Sequence, residues 1–262
     1  MERSPLSYQH IEPELVGNEK RILISELSGR QNILGMISEV GLSMDGANER
    51  ALAILERVKL LESQGYTFEG AEASVQLMIL HATRGYCPPF EVLDYSAHVY
   101  DSNIDSASRV LQKGNDALCM GSRPTARATV QVRTRRPVPD GLESLQPDWD
   151  PYLVNLEVSD GNGPVDALAN SLMRALKPIH PSLGDIELVD YKVRILDPEA
   201  ATGAATRVLI EFRDTVKETT WTTVSVDTNV ISASLNALID GFEFALIEHA
   251  QSCMLCDEED YE

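Results

Sequence analysis

The segment Phe90-Glu91-Val92-Leu93-Asp94-Tyr95 returns as Ile186-Glu187-Leu188-Val189-Asp190-Tyr191. Each copy runs on through further strand-like segments and closes on an amphipathic helix pattern. A diverged internal repeat constrains a fold before any single residue does, because each copy is one supersecondary unit with an apolar face to cover. Two such units in one chain share a pseudo-symmetric seam. That seam is a natural place for a ligand or a partner subunit.

The first copy opens with a strand over Phe90 to Tyr100. Ala126 to Arg136 alternates small or apolar residues with polar ones, as a half-buried strand does. Tyr152 to Val158 is a third strand. Gly161-Asn162-Gly163-Pro164 is a turn, with Pro164 suited to the first helical position. The helix that follows presents Val165, Leu168, Leu172 and Leu176 on one face. The second copy repeats this order, with strands over Ile186 to Leu196, Thr206 to Arg213 and Thr219 to Val226. Asp227-Thr228-Asn229 supplies N-cap chemistry. The last helix carries Val230, Ile231, Leu235, Leu238, Phe242, Leu246 and Ile247. The first copy is swollen by insertions at 101–124 and 137–150, between elements, where added length costs little.

Residues 1–87 read as a smaller, mostly helical region. Arg21 to Ser25 is strand-like or a loop anchor. Helical spacing starts near Ile33 and stops at Gly41. A second helix spans about Asn48 to Gln64, with Leu52, Leu55, Val58 and Leu60 or Leu61 on its stripe and Gly65 as its C-cap. A third runs from about Phe68 to Arg84, with Ala71, Val75, Met78, Ile79 and Ala82 inward. The expected fold class is α+β: helical linker subdomains over 1–87, then two βββα modules over 88–180 and 185–250. An acidic tail over 251–262 closes the chain.

The formal net charge of −19 leaves no basic surface to neutralise phosphates, so nucleic acid is excluded as a partner. Anionic membrane surfaces are disfavoured for the same reason. No apolar run approaches the ~20 residues that span a bilayer. Met-Glu-Arg-Ser-Pro lacks the apolar stretch of a signal peptide, so a cytoplasmic protein is expected. Cys253-x-x-Cys256 has redox or zinc spacing, but no second pair accompanies it, and two ordinary thiols are the expectation. The five histidines share no metal spacing, and carboxylates fall mostly on solvent faces. No catalytic group and no metal site is expected in this chain.

Two features remain. Gly161-Asn162-Gly163 lets backbone approach a ligand closely, and a helix start offers free N–H groups to an anion such as an amino-acid carboxylate. Ordinary strand-to-helix turns account for the same residues. Asp94-Tyr95 and Asp190-Tyr191 are the repeated polar pairs. A regular strand places Leu188 and Tyr191 on opposite faces, and only a bulge unites them. A tyrosine packed under a helix is the plainer alternative.

Longer runs carry a resemblance. Tyr8-Gln9-His10-Ile11-Glu12-Pro13-Glu14-Leu15-Val16-Gly17-Asn18 and Ser25-Glu26-Leu27-Ser28-Gly29-Arg30-Gln31-Asn32-Ile33 resemble the segment after the catalytic barrel in citramalate and 2-isopropylmalate synthases. So do Gly65-Tyr66-Thr67-Phe68-Glu69-Gly70-Ala71-Glu72-Ala73-Ser74 and Gly163-Pro164-Val165-Asp166-Ala167-Leu168. Asp190-Tyr191-Lys192-Val193-Arg194-Ile195-Leu196 and Ile231-Ser232-Ala233-Ser234-Leu235 complete the set. The Glu-Gly-Ala-Glu-Ala-Ser run favours the citramalate branch.

The resemblance implies an enzyme that joins acetyl-CoA to a 2-oxo acid on an N-terminal TIM barrel with a divalent metal. Helical linkers follow, then a regulatory and dimerising domain that binds isoleucine or leucine. This sequence has no barrel, so the resemblance implies neither acetyl-CoA nor metal for this chain itself. It implies a homodimer, an amino-acid effector and room for a separately encoded barrel subunit. Tyr8 matches a linker tyrosine that reaches toward a neighbouring active site. Leu188, Tyr191 and Ile195 match effector-pocket positions, with Gly163, Pro164 and Asn229 at the helix starts nearby. The competing expectations are a ligand-free assembly module and an active synthase.

Overall fold

The computed structural model describes residues 30–39, 47–83, 85–100, 125–135 and 152–256. The expected Arg21–Ser25 segment, Tyr8 and both insertions lie outside these residues. Three helices come first, α1 (Arg30–Glu39), α2 (Ala47–Ser63) and α3 (Glu72–His81). Module one follows with β1 (Phe90–Val99), β2 (Ala126–Arg135), β3 (Tyr152–Gly161) and α4 (Pro164–Leu176). A short 3-10 turn over Pro181–Asp185 leads into module two: β4 (Ile186–Ile195), β5 (Thr206–Asp214), β6 (Thr220–Asp227) and α5 (Val230–Cys256). Each module is one antiparallel three-stranded sheet in sequential order, β1-β2-β3 and β4-β5-β6. The βββα repeat read from the sequence is the architecture.

The two sheets meet through their helices. Helix α4 lies across β2 and β3, α5 lies across β5 and β6, and the two helices touch. Alternation explains the burial. Ala126, Ala128, Val130 and Val132 of β2 point to α4 and are fully buried, as are Leu168, Leu172 and Leu176 opposite them. Val208, Ile210 and Phe212 of β5 do the same beneath α5, joining both modules into one apolar core. The Phe212 ring stacks on Trp221 at 5.8 Å and meets Phe242 edge-on. A Cβ on Gly241 would come within 2.1 Å of that ring, so a bare backbone is what lets α5 settle on β5.

Helices α1–α3 build a second core on the opposite face of the β4-β5-β6 sheet, with Val224 of β6 inside it. The buried line of α2 is Ala51, Ile54, Val58 and Leu61, and Leu52 and Leu60 are exposed, one position away from the expected stripe. Helix α3 begins at Glu72 rather than near Phe68, because Phe68–Gly70 form a turn with Gly70 at φ +78°. It buries Ala73, Ser74, Val75, Leu77, Ile79 and Leu80 and leaves Ala82 exposed. A helix buried all round reads poorly as one stripe, and this one packs between α2, β6 and α5. The Val224 amide of edge strand β6 donates to Ser74 Oγ at 3.0 Å, closing the edge there. Gly65 turns the chain at φ +102°, and its carbonyl accepts from Arg207 Nε at 2.6 Å.

Two further expectations need correction. Within Val230–Ala250 an 18-residue window has a mean hydropathy of 1.5, long and apolar enough by composition to span a bilayer. The window is 56% buried, since it is the core helix of module two. That helix also continues through Cys256, into the span expected to be tail.

Candidate functional site

Strand β4 carries the expected residues in an arrangement that depends on one irregularity. Leu188 pairs with Phe212 and Asp190 with Glu211, so Val189 is an extra residue in the ladder. The extra residue resets the alternation. Leu188, Tyr191, Val193 and Ile195 then stand opposite Phe212, Ile210, Val208 and Thr206, all on the side of the sheet that α5 covers. The bulge thus unites Leu188 and Tyr191, as their three-residue spacing required. Strand β1 has the same irregularity between Val92 and Asp94. Each bulge is held by the aspartate after it, which accepts from the next amide: Tyr95 to Asp94 at 2.9 Å and Tyr191 to Asp190 at 2.8 Å. Asp190 also pairs with Lys192 at 2.5 Å, and that contact holds its carboxyl below the usual carboxylate range.

Although β4 faces the helix side, α5 sits over β5 and β6 and leaves the strand open. Leu188 is 42% exposed, Tyr191 37%, Val193 45% and Ile195 54%. The result is an apolar face without cover. A cavity of about 580 Å³ lies elsewhere, among α1, α3, β6 and the far end of α5, and none of these four residues lines it.

Both repeated tyrosines reach the first turns of α5. Tyr191 Oη lies 2.8 Å from Ser234 Oγ, and Tyr95 Oη lies 2.8 Å from Ser232 Oγ. Ser234 Oγ itself donates to the Val230 carbonyl at 2.6 Å. A serine has one hydroxyl proton, so the tyrosine is the donor in the Tyr191–Ser234 pair. The head of α5 therefore holds the first strand of each module. Ser232, Ser234, Tyr95 and Val193 were not among the expected site residues. The signal for the serines was the Ser-x-Ser spacing in a helix start downstream of a repeated tyrosine.

The helix starts are less open than the sequence suggested. Asn229 caps α5, its Oδ1 accepting from the Ile231 amide at 2.9 Å, while Asp227 accepts from the Asn229 amide at 2.7 Å. In α4, Gly163 is the extended N-cap, Pro164 stands at the first turn, and Asp166 accepts from the Asn162 amide at 2.8 Å. A carboxylate of the protein thus stands at each helix start. The bare backbone at Gly161 serves packing: a Cβ there would come within 2.3 Å of the Ala167 nitrogen in α4. Gly163 has open space around it.

Residues 117–246 match a family model described as the LeuA allosteric (dimerisation) domain. The (R)-citramalate synthase of Geobacter sulfurreducens is 38% identical over 246 residues, 94% of this chain. That of Synechocystis is 37% identical over 99% of the chain, and that of Aquifex aeolicus 35% over 95%. The chain belongs to the citramalate synthase family. It spans 40–41% of the length of these curated relatives and corresponds to their C-terminal portion. Within that family, the LeuA match begins beyond β1, whereas similarity to the synthases runs through the helical region as well. The internal repeat places β1 in module one regardless, since its bulge and tyrosine duplicate those of β4.

Proposed function

We propose that the β4 face is where this allosteric region takes a branched-chain amino acid, isoleucine or leucine, as the feedback effector of a citramalate or 2-isopropylmalate synthase. One observation carries the reading: Leu188, Tyr191 and Ile195 share a face of the sheet that the protein's own helix leaves uncovered. An aliphatic side chain covering that face removes apolar surface from water, a gain of about 25 cal/mol per Å². Asp166 and Asp227 already stand at the helix starts of Gly163, Pro164 and Asn229, so in this reading the effector's aliphatic side chain carries the binding. Discrimination between isoleucine and leucine rests on one methyl position, typically about 1–3 kcal/mol.

Titration calorimetry of the chain with isoleucine, leucine and valine at millimolar concentration tests this. One of the first two should bind in preference to valine. Leu188→Ala and Tyr191→Ala should each weaken binding at least tenfold. Absence of heat with every ligand would overturn the reading.

The same open face supports a second reading, assembly. Tyr152, Val154, Leu156 and Val158 form another exposed apolar stripe, on edge strand β3, and the matched family is described as a dimerising one. A homodimer covers such surface by pairing like patches. Light scattering should then find a dimer that no amino acid perturbs, and ligand-dependent melting would count against a ligand-free role. The condensation of acetyl-CoA with a 2-oxo acid at a divalent metal, and Tyr8 reaching a barrel's active site, belong to the whole enzyme in this proposal. A thiol-release assay of this chain with acetyl-CoA and pyruvate should show no turnover without added barrel protein.

A further inference from the structure

The seam between the helical region and α5 is polar at one point. Glu243 of α5 is 3% exposed. Its Oε1 accepts a hydrogen bond from Tyr86 Oη at 2.6 Å and lies 2.7 Å from His81 Nε2. Both partners belong to α3 and the segment after it. Asp240 stands three residues before Glu243, on the same side of α5. With His81 it lines a cavity of about 370 Å³ that also takes in Arg57 and Ser74. The titratable groups around the pair are His81, Tyr86 and Cys87 from the α3 side, with Arg57 and Tyr66 across the cavity. The β6 residues in its wall, Val224 and Ser225, do not titrate.

We propose that Glu243, Asp240 and His81 form a proton-controlled clasp that fastens the helical region to module two, closed in mild acid and loosened as pH passes neutrality. The clasp stands on its own geometry and does not depend on effector binding at β4. Two carboxylates this close on one helix repel when both are charged, and burial strengthens the repulsion. A proton on Asp240 relieves it, and a proton on His81 turns its contact with Glu243 into an ion pair.

The direction follows from both groups. Burial, with Glu243 adding to it, pushes the Asp240 carboxyl up to about 7. The hydrogen bond to Glu243 raises His81 above its ordinary 6.5, against the opposing effect of burial. A group raised by folding stabilises while protonated, and that stability is lost as pH climbs through the folded value. The Asp240 contribution drains between 3.8 and about 7, and that of His81 from 6.5 upward. The two losses have the same sign and overlap between 6.5 and about 7.

Amide hydrogen exchange of the full chain at pH 6 and pH 8, corrected for intrinsic rates, tests the clasp. Opening that frees Asp240 should lower protection over Glu72–His81 about tenfold between these pH values, relative to Pro164–Leu176 in α4. Asp240→Asn should remove most of that fall. Glu243→Gln should lower α3 protection already at pH 6 and move the His81 titration midpoint down by NMR. Parallel behaviour of α3 and α4 in the unmodified chain would overturn the proposal, and so would an undiminished fall in Asp240→Asn. Should a variant not fold, the unmodified chain decides alone.

Discussion

Asp214 closes β5 with a carboxyl 2% exposed that takes the amides of Val216 and Lys217 at 2.9 Å each and has His249 Nε2 at 3.0 Å. Burial pushes this carboxyl up, but the two amides and His249 outweigh burial and hold it below the usual carboxylate value. A depressed carboxyl contributes stability above its ordinary value near 3.8 and loses it as pH falls through the folded value. Asp214→Ala should therefore cost about 1.5–3 kcal/mol at neutral pH, the range for hydrogen bonds to a charged group. The difference from the unmodified chain should shrink below pH 4, as chemical denaturation across that range would show. Asp240, on α5, has the opposite sign. Its pKa is raised, because no amide compensates its burial and Glu243 stands beside it. The buried Glu243 and the half-buried Asp240 of α5 were the part of the chemistry least visible in the sequence. Their one outward mark is acidic residues at 240 and 243 inside the otherwise apolar stretch Ala237–Ile247 of that helix. The partners that give Glu243 its meaning, His81 and Tyr86, are remote in the chain.

Strand β4 is the element on which the effector reading turns, and its bulge is open to direct test. Deleting Val189 restores strict alternation and leaves Leu188 and Tyr191 two apart, still on one face. We expect the variant to melt lower, since the Asp190 contact that holds the bulge is lost, and to keep the heat with the amino acid that the unmodified chain binds. Deleting Leu93, the matching residue of β1, should lower melting comparably and leave that heat in place. Lost binding in the Val189 deletion would show that the shared face alone does not make the site. The repeat made both modules legible in the sequence, because strand alternation and helix stripes recur in the same order. The Leu188–Tyr191 spacing required a bulge for a shared face, yet nothing in Leu188-Val189-Asp190 marks Val189 as the extra residue. The stripe of α2 was misplaced for a different reason. Leu52 and Leu60 are as apolar as Ile54 and Leu61, so hydrophobicity alone did not fix the helix rotation, and packing against α1 and α3 did.

At the scale of the molecule, the two modules share a plan but not a setting. The sheet of module two is covered by α5 on one face and by the helical region on the other, whereas module one has α4 alone and an exposed apolar β3. Gly65 sits so close to Leu196 that a Cβ would come within 2.1 Å of its Cδ1, and the anchored turn ties α2 to module two. The connections differ as well. Residues 100–125 join β1 to β2, while residues 196–205 join the matching strands of module two. Residues 136–151 and 215–219 join the next pairs. Closing a longer loop loses more chain entropy, by about 1 kcal/mol for each of these differences. The consequence is an order of assembly. Module two should form in the folding transition state, with module one condensing afterwards onto α4 and the head of α5. Substitutions such as Ile210→Val should then slow folding, whereas Val130→Ala should mainly speed unfolding, as stopped-flow kinetics would read. The reverse pattern would sink this order. The insertions that swell one copy of the repeat would thereby make the other its template.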